Sequence, residues 1–200
     1  MARQDDELEK EQCRIFKLHQ NPDRTGYDAN VFINFTEYQF ELKTYEKTSR
    51  SITTHHTLNN KRIREYKKRL WIISEYDKNN NNQLTGEHYL LFPEDLETWF
   101  EKQEKRLYEG TEKAPGLGLK FFYELKNFAL EKGFKKTDEL QQLEDELNKA
   151  GINNPKISAN KAIGWGTKLD TTRPDKSLRE VLNKKTIDIE RQDGYAFVSQ

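Results

Sequence analysis

The clearest pattern in the chain is an alternation of apolar and polar residues between positions 27 and 43. Side chains of a strand alternate between its two faces, so this stretch predicts two strands joined by a turn. A four-residue turn at positions 34–37 sets Ile33 opposite Tyr38 and Asp28 opposite Lys43. The apolar face of this hairpin is then a core face, formed by Tyr27, Ala29, Val31, Ile33, Tyr38, Phe40 and Leu42.

Other segments show helical or strand patterns that extend this hairpin into a larger fold. A first helix is predicted over residues 5–19, a second over about 60–69 with Asn59 or Asn60 as its cap, and a buried strand over 70–76. A helical crossover of this length makes the new strand parallel to the hairpin strand in one sheet. Downstream we predict a strand at 87–92, helices at 93–107, 120–132 and 138–150, a loop at 153–173, a capping box at 177–180, and a hairpin at 186–198 turning at Asp193-Gly194.

The polar face of the predicted hairpin gathers ionisable side chains. Asp28, Glu41 and Lys43 share this face because strand side chains have a period of two. Two neighbouring carboxylates repel each other unless a cation lies between them, and Mg²⁺ is commonly held by one or two carboxylates plus water and phosphate. A nearby lysine can orient or deprotonate an attacking water, or neutralise charge in the transition state. This combination predicts a site that cleaves phosphodiesters.

An aspartate followed by Glu-x-Lys on the next strand resembles the PD-(D/E)xK nuclease superfamily. The resemblance covers roughly residues 1–77 and implies that Asp28 and Glu41 bind the metal, Mg²⁺, and that Lys43 is the catalytic lysine. In this superfamily the first helix sometimes supplies a further acidic residue, which here would be Glu7 or Glu11.

Glu-x-Lys is a weak signal alone, because the chain contains it at two other places. Glu65-Tyr66-Lys67 and Glu124-Leu125-Lys126 both lie in helix-like runs. Only Glu41 lies in a strand preceded by a strand that carries an aspartate. The alternative interpretation of residues 28–43 is an ordinary half-solvated hairpin.

Composition limits the classes of protein that fit. The chain has 200 residues, of which 34% are charged and 12% aromatic, so it is polar but has enough aromatic residues for a folded domain. Its formal net charge is zero, so nucleic-acid binding requires that the basic residues be clustered. Cys13 is the one cysteine, which excludes an intrachain disulfide and is consistent with a reducing cytoplasm; we expect it to be a buried helix residue. No apolar run has the length of a membrane span.

The basic residues do cluster, directly after the candidate site. Residues 43–69 hold nine basic residues and two acidic ones, a surplus of seven positive charges. Hydroxyl and imidazole groups, which can also contact phosphate oxygens, are interleaved with them. A solvated basic helix is the alternative, and zinc binding by the adjacent histidines lacks further ligands. The candidate DNA-binding residues here are Lys47, Arg50, Thr53, Thr54, His55, His56, Lys61, Arg62 and Arg64.

A second candidate DNA-binding segment is the predicted loop at 153–173. Its asparagines and lysines are residue types that read base edges, and its single acid is Asp170. A plain surface loop is the alternative. The acidic helix at 138–150 argues against a helix-turn-helix motif. The candidate base-reading residues are Asn160, Lys161, Trp165 and Lys168.

Taken together, the pattern predicts an α/β fold with a mixed sheet and a restriction-endonuclease-like core in helix-hairpin-helix-strand order. We expect one nuclease domain, with residues 1–92 as catalytic core and 93–200 as a mostly helical elaboration. The resemblance implies a type II restriction endonuclease of the prokaryotic cytoplasm that cleaves double-stranded DNA with Mg²⁺, commonly as a homodimer. The alternatives are a repair or junction-resolving nuclease of the same fold, and a non-cleaving DNA-binding protein.

Overall fold

The computed structural model describes residues 2–22, 26–55, 57–108, 127, 152, 153 and 155–196. Its helices are α1 (Ala2–Phe16), α2 (Asn60–Tyr66), α3 (Glu97–Tyr108), which follows a 3₁₀ turn at Pro93–Leu96, α4 (Ala159–Trp165) and α5 (Pro174–Ala196). Its strands are β1 (His19–Gln20), β2 (Ala29–Ile33), β3 (Thr36–Glu46), β4 (Ser51–Thr53), β5 (Thr57–Leu58), β6 (Leu70–Asp77), β7 (Gln83–Leu91), β8 (Ile152–Asn153), β9 (Lys156–Ser158) and β10 (Thr167–Lys168).

Six of these strands form one mixed sheet in the order β1-β2-β3-β6-β7-β10. The predicted hairpin is the antiparallel pair β2–β3, and the predicted crossover makes β6 parallel to β3, with Phe40 beside Leu70. Asn59 caps α2 as predicted, because its side-chain oxygen accepts the backbone N–H of Arg62 at 2.9 Å. This arrangement confirms the mixed α/β fold and the helix-hairpin-helix-strand order.

The hairpin turn is shorter than the sequence pattern predicts. Ile33 pairs with Thr36, so only Asn34 and Phe35 form the turn, and our four-residue turn was wrong. Both turn residues have positive φ, 49° and 66°, as a type I′ turn requires. The register moves by two residues, which preserves the faces but brings Asp28 beside Glu41 and Leu42 instead of opposite Lys43. Phe35 projects fully into solvent at the tip of the hairpin.

The sheet is covered on both faces, and each face has its own core. One core is aromatic and packs α2, α3 and α4 against the odd-numbered residues of β3 and β6, including Tyr45, Trp71 and Ile73. The other packs α1 and α5 against the even-numbered residues, including Phe40, Leu42 and Ile72. Cys13 is buried in this second core, as predicted. On the polar face of the hairpin, Glu41 is therefore buried under the first layer, whereas Asn30 and Gln39 are partly exposed and Glu37 is exposed.

The C-terminal third differs most from the sequence prediction. Residues 186–196 continue α5, so the hairpin at 186–198 was wrong, and the helix begins at Pro174 instead of a capping box at 177. Pro174 suits a first helical position, and Leu178 and Leu182, one turn apart, are buried against the sheet. The predicted loop at 153–173 instead contains β8, β9, α4 and β10. The helices predicted at 120–132 and 138–150 lie outside the described residues, apart from Asn127.

Gly166 has a packing role that the sequence did not reveal. A Cβ atom at this position would come within 2.8 Å of the Leu91 side chain and 3.0 Å of the Leu90 carbonyl oxygen. The glycine therefore allows the chain leaving α4 to approach β7 closely before it pairs with that strand as β10.

Among the described helices, none combines the length and apolar character needed to cross a membrane.

Candidate active site

The structure brings together the three side chains that the sequence pattern singles out. Lys43 Nζ lies 3.3 Å from Asp28 Oδ2 and 3.2 Å from Glu41 Oε2. Glu41 and Lys43 point to the same face of β3 because they are two residues apart. Asp28 lies just before β2, and its Oδ2 accepts the backbone N–H of Leu42 at 2.7 Å. Two carboxylates and an ammonium group therefore converge on one point of the sheet.

This cluster is more deeply buried than a half-solvated hairpin would be. The side chains of Glu41, Lys43 and Asp28 are 3%, 13% and 24% exposed, respectively. Burial therefore increases from Asp28 at the rim to Glu41 in the interior. A charged group in such a place needs a partner, because an isolated buried charge is strongly disfavoured.

Glu41 has a second cationic partner that sequence reasoning missed. Arg69 Nη1 ion-pairs with Glu41 Oε1 and donates a hydrogen bond to the carbonyl oxygen of Gly26 at 3.0 Å. Arg69 Nη2 lies 3.8 Å from Glu65 Oε2. In the observed parallel register, the residue before β6 lies beside Gln39, two residues before Glu41, and the predicted crossover alone does not give that register.

The electrostatics of the cluster are coupled. Burial raises the pKa of Glu41, while Lys43 and Arg69 oppose that effect. Burial lowers the pKa of Lys43, but the carboxylates of Asp28 and Glu41 outweigh it and hold that pKa well above its usual value. Lys43 is therefore an ammonium cation at neutral pH. Burial raises the pKa of Tyr66 to about 12, so its hydroxyl is uncharged at neutral pH, and it donates to the Thr54 carbonyl oxygen at 2.9 Å.

The acidic residue that α1 contributes to this field is neither Glu7 nor Glu11. Glu7 ion-pairs with Lys10 at 2.8 Å and Glu11 with Arg14 at 2.6 Å. Glu9 is the residue of this helix whose carboxylate raises the pKa of Lys43. The difference follows from helix rotation: residues two positions apart lie on opposite sides of a helix.

A buried polar network lies behind β3, on the face that packs against α1. Gln12 Nε2 donates to Ser74 Oγ at 2.8 Å and to the backbone carbonyl of Lys43 at 3.2 Å. His88 Nδ1 lies 2.8 Å from the same Ser74 oxygen. Burial lowers the pKa of His88 to about 4, so this imidazole is neutral. The network joins α1, β3, β6 and β7 at the position of the candidate lysine.

Many of the basic residues predicted to contact DNA carry ion-pair partners. Lys47 lies 3.8 Å from Asp77, Arg50 lies 3.4 Å from Glu75, and Arg62 lies 3.2 Å from Glu65. Within the part of the chain that the structure describes, Lys61 and Arg64 are exposed and have no ion pair. The local surplus of positive charge is consequently concentrated on the exposed side of α2.

The hydroxyl and imidazole groups of this segment lie in different environments. Thr53 is exposed, whereas Thr54 is buried and its hydroxyl donates to the carbonyl of Pro155 at 3.0 Å. His55 is half-buried, and His56 lies outside the described residues.

The two candidate DNA-binding segments are neighbours in the fold. Strand β4 pairs with β9, and Arg50 Nε donates to Asn160 Oδ1. Asn160 and Lys161 lie exposed in the first turn of α4, Trp165 packs half-buried against the aromatic core, and Lys168 pairs with Glu87 at 2.7 Å. The strand pairing therefore gathers groups that are about a hundred positions apart in sequence.

The donor set of the cluster fits a small divalent cation. In the described portion of the chain, no three histidine, cysteine, aspartate or glutamate side chains group in a way that could hold a metal ion. Asp28 and Glu41 instead form a pair of hard oxygen donors at one point. Mg²⁺ is typically bound by one or two carboxylates, with waters and substrate phosphate completing its coordination. The residues present therefore fit Mg²⁺ better than a metal that requires a closed cage.

Comparison with known proteins finds a family match over more than half of the chain. A family model described as restriction endonuclease PvuII matches residues 4–116, which include most of α1 and all of the β2–β3 hairpin, α2, β6, β7 and α3. A search of the curated proteins finds no match. The matched segment contains the whole Asp28, Glu41 and Lys43 cluster together with Arg69.

Proposed function

Because the chain belongs to the PvuII family of type II restriction endonucleases, we propose that it cleaves double-stranded DNA at a specific sequence in a reaction that requires Mg²⁺. The convergence of Asp28, Glu41 and Lys43 is the observation that carries this proposal. Each of these residues is already held in place by the fold, as a catalytic centre requires.

Asp28 and Glu41 would hold the metal through the carboxylate oxygens that now face Lys43. Mg²⁺, when bound, supplies a Lewis acid for the phosphoryl oxygen and lowers the pKa of a coordinated water. The hydrogen bond from Leu42 N–H fixes the orientation of the Asp28 carboxylate, while Arg69 fixes that of Glu41. These contacts limit the reorganisation that the carboxylates need before reaction.

Lys43 would act as a cation beside the scissile phosphate. Its raised pKa keeps it protonated, so it is suited to stabilising negative charge in the transition state and to positioning the attacking water. The Gln12 bond to its backbone carbonyl anchors this part of β3 to α1.

The surrounding surface would hold the duplex. Lys61 and Arg64 present exposed cations for phosphates, and Asn160 and Lys161 present polar groups on the adjoining α4. Phosphate contacts supply affinity that depends on salt, whereas contacts to base edges supply sequence choice. A homodimer would match a palindromic site, because twofold protein symmetry then follows the symmetry of the DNA.

Digestion of phage DNA by the purified protein tests the proposal. With Mg²⁺ we expect discrete fragments, which EDTA prevents and which the Asp28→Asn variant does not produce. A smear would indicate a nonspecific nuclease instead, and binding without cutting would indicate a DNA-binding protein. Sequencing of the fragment ends would give the recognition site, and light scattering of the protein would give its oligomeric state.

A further inference from the structure

The proposed reaction uses Arg69 to orient Glu41 but leaves its positive charge without a role. Its side chain is only 9% exposed, and its guanidinium contacts both Glu41 and the carbonyl oxygen of Gly26. A buried guanidinium stays charged at any relevant pH, since arginine does not lose its proton in proteins. The Arg69 guanidinium therefore places a permanent positive charge beside the Oε1 atom of Glu41.

This charge changes the balance of the whole cluster. Asp28 and Glu41 contribute two negative charges, and Lys43 and Arg69 contribute two positive charges, so these four ion-paired groups sum to zero. Glu65, the peripheral acid beside Arg69, is itself paired with Arg62 at 3.2 Å. A divalent cation is attracted weakly to such a neutral cluster, although its oxygen donors are suitable.

The two cations of the cluster differ in how firmly they are held. Lys43 has a flexible stem, donates to the backbone carbonyl of its neighbour Leu42 at 3.1 Å, and contacts the carboxylate oxygens that face the more exposed Asp28 side. Arg69 is planar, lies deeper, and joins Glu41 to the backbone carbonyl of Gly26, which belongs to a distant segment of the chain. Lys43 can therefore turn toward a phosphate, whereas Arg69 keeps its position on Glu41.

From this arrangement we propose that Arg69 is a built-in counter-ion of Glu41 that makes divalent-metal binding depend on DNA. The phosphates of bound DNA supply the negative charge that the neutral cluster lacks, and they also attract Lys43 away from the carboxylates. The inference rests on the proposed function, since it takes Asp28 and Glu41 as metal ligands. In this proposal Arg69 determines that the metal binds tightly only once DNA is bound, so it is a positioning residue and not a catalytic residue.

Calorimetric titration with Ca²⁺ tests the inference on the full chain without relying on cleavage. For the wild-type protein we expect Ca²⁺ to bind at least about tenfold more tightly when a short duplex carrying the cleaved sequence is present. For Arg69→Gln, which removes the charge but can still donate hydrogen bonds, we expect Ca²⁺ affinity without DNA to rise about tenfold. The increase in Ca²⁺ affinity on adding the duplex should then be smaller for Arg69→Gln than for the wild type.

Two further variants separate the position of the charge from its presence. Lys68→Gln removes one positive charge from the neighbouring exposed residue, and we expect its Ca²⁺ affinity to stay within about twofold of wild type. Arg69→Lys keeps a positive charge beside Glu41, so we expect its Ca²⁺ affinity without DNA to stay low.

The outcomes are distinguishable from those that test the proposed function. If the wild type cuts DNA but binds Ca²⁺ equally well with and without the duplex, the counter-ion role is wrong and the nuclease assignment stands. The same holds if folded Arg69→Gln binds Ca²⁺ no better than wild type. If the wild type neither cuts DNA nor binds Ca²⁺ with the duplex, the proposed function itself fails. Because the first comparison uses only wild type, an unfolded Arg69→Gln would not prevent the test.

Discussion

The interior charges at Asp28, Glu41, Lys43 and Arg69 differ from the surface charges of α2 in what balances them. In the interior, each ionised group has opposite charges within hydrogen-bonding distance and little contact with water. On α2, Lys61 and Arg64 are exposed, and water and salt balance their charge. Lys43 and Arg69 belong to the same basic stretch, residues 43–69, as the surface cations of α2, so the residue types alone do not distinguish interior from surface cations. Burial decides which charges are available for chemistry and which for long-range attraction.

The largest effect should come from replacing an interior charge, and it should appear in the rate of DNA cleavage. Lys43→Ala removes the cation of the proposed centre, so we expect the single-turnover cleavage rate to fall by roughly three orders of magnitude. Specific binding to DNA in Ca²⁺ should persist, because the carboxylates and the α2 surface are unchanged. Filter binding and cleavage assays on the same preparation measure both properties. A variant that lost binding and cleavage together would indicate that Lys43 anchors phosphate instead.

Stability should also separate interior charges from surface charges. Glu41→Ala leaves Arg69 buried without its main partner, so we expect a loss of about 3–5 kcal/mol in the free energy of unfolding, measured with urea. Glu7→Ala breaks the exposed pair with Lys10, and we expect a change of less than about 0.5 kcal/mol. The double variant Glu41→Ala/Arg69→Leu should recover part of the interior loss. Equal effects of the two single variants would contradict the distinction.

His88, in the buried network behind β3, should make the free energy of unfolding depend on pH. The pKa of His88 is about 4 in the folded protein and about 6.5 in an unfolded chain, so the unfolded chain binds the proton more readily. The stabilisation is complete above pH 6.5 and is lost as the pH falls toward 4. Between pH 7 and 5 we expect this residue to account for a loss of about 2 kcal/mol.

His88→Gln is the matched variant for this window, because glutamine stays neutral and can still bond Ser74. Urea midpoints at pH 7 and pH 5 should therefore differ less for His88→Gln than for wild type. If the two proteins lose the same stability on acidification, His88 does not control this window.

The smallest effects should come from single surface cations. Removing the charge of Lys61 or Arg64 should weaken binding to all DNA sequences and lower the slope of log affinity against log salt by about 1 for each lost phosphate contact. Lys17→Ala is the control, because Lys17 pairs with Asp175 at 2.6 Å between α1 and α5. An unchanged slope for both α2 variants would exclude this face from the DNA interface.

The sequence predicted the parts of the fold that local pattern controls. Alternation identified β2 and β3, and the crossover rule gave the parallel pairing of β6. The turn at Asn34-Phe35 was missed because Gly usually occupies the second position of a type I′ turn, where φ is positive. The extended α5 was missed because Asp193-Gly194 is a strong turn signal in isolation, whereas Leu178 and Leu182 tie the helix to the sheet.

The candidate site was predictable only in part, for a related reason. A period of two places Asp28, Glu41 and Lys43 on one face, and this needs no tertiary information. Arg69 contacts Glu41, and Glu9 acts on the pKa of Lys43, through the packing of other elements, so no local pattern marks either residue. The count of basic residues was also a poor guide to free positive charge, because partners such as Asp77 and Glu75 lie in β6.

The pairing of β4 with β9 has a consequence for the order in which the protein folds. Thr53 and Lys156 lie roughly a hundred positions apart, and closing so long a loop costs more conformational entropy than forming the adjacent β2–β3 hairpin. Contacts between distant positions slow folding, so we expect the hairpin that carries Asp28, Glu41 and Lys43 to gain structure before β4 docks on β9. A nascent chain would then form the hairpin of the proposed catalytic residues while the neighbouring proposed DNA-binding segments are still separate.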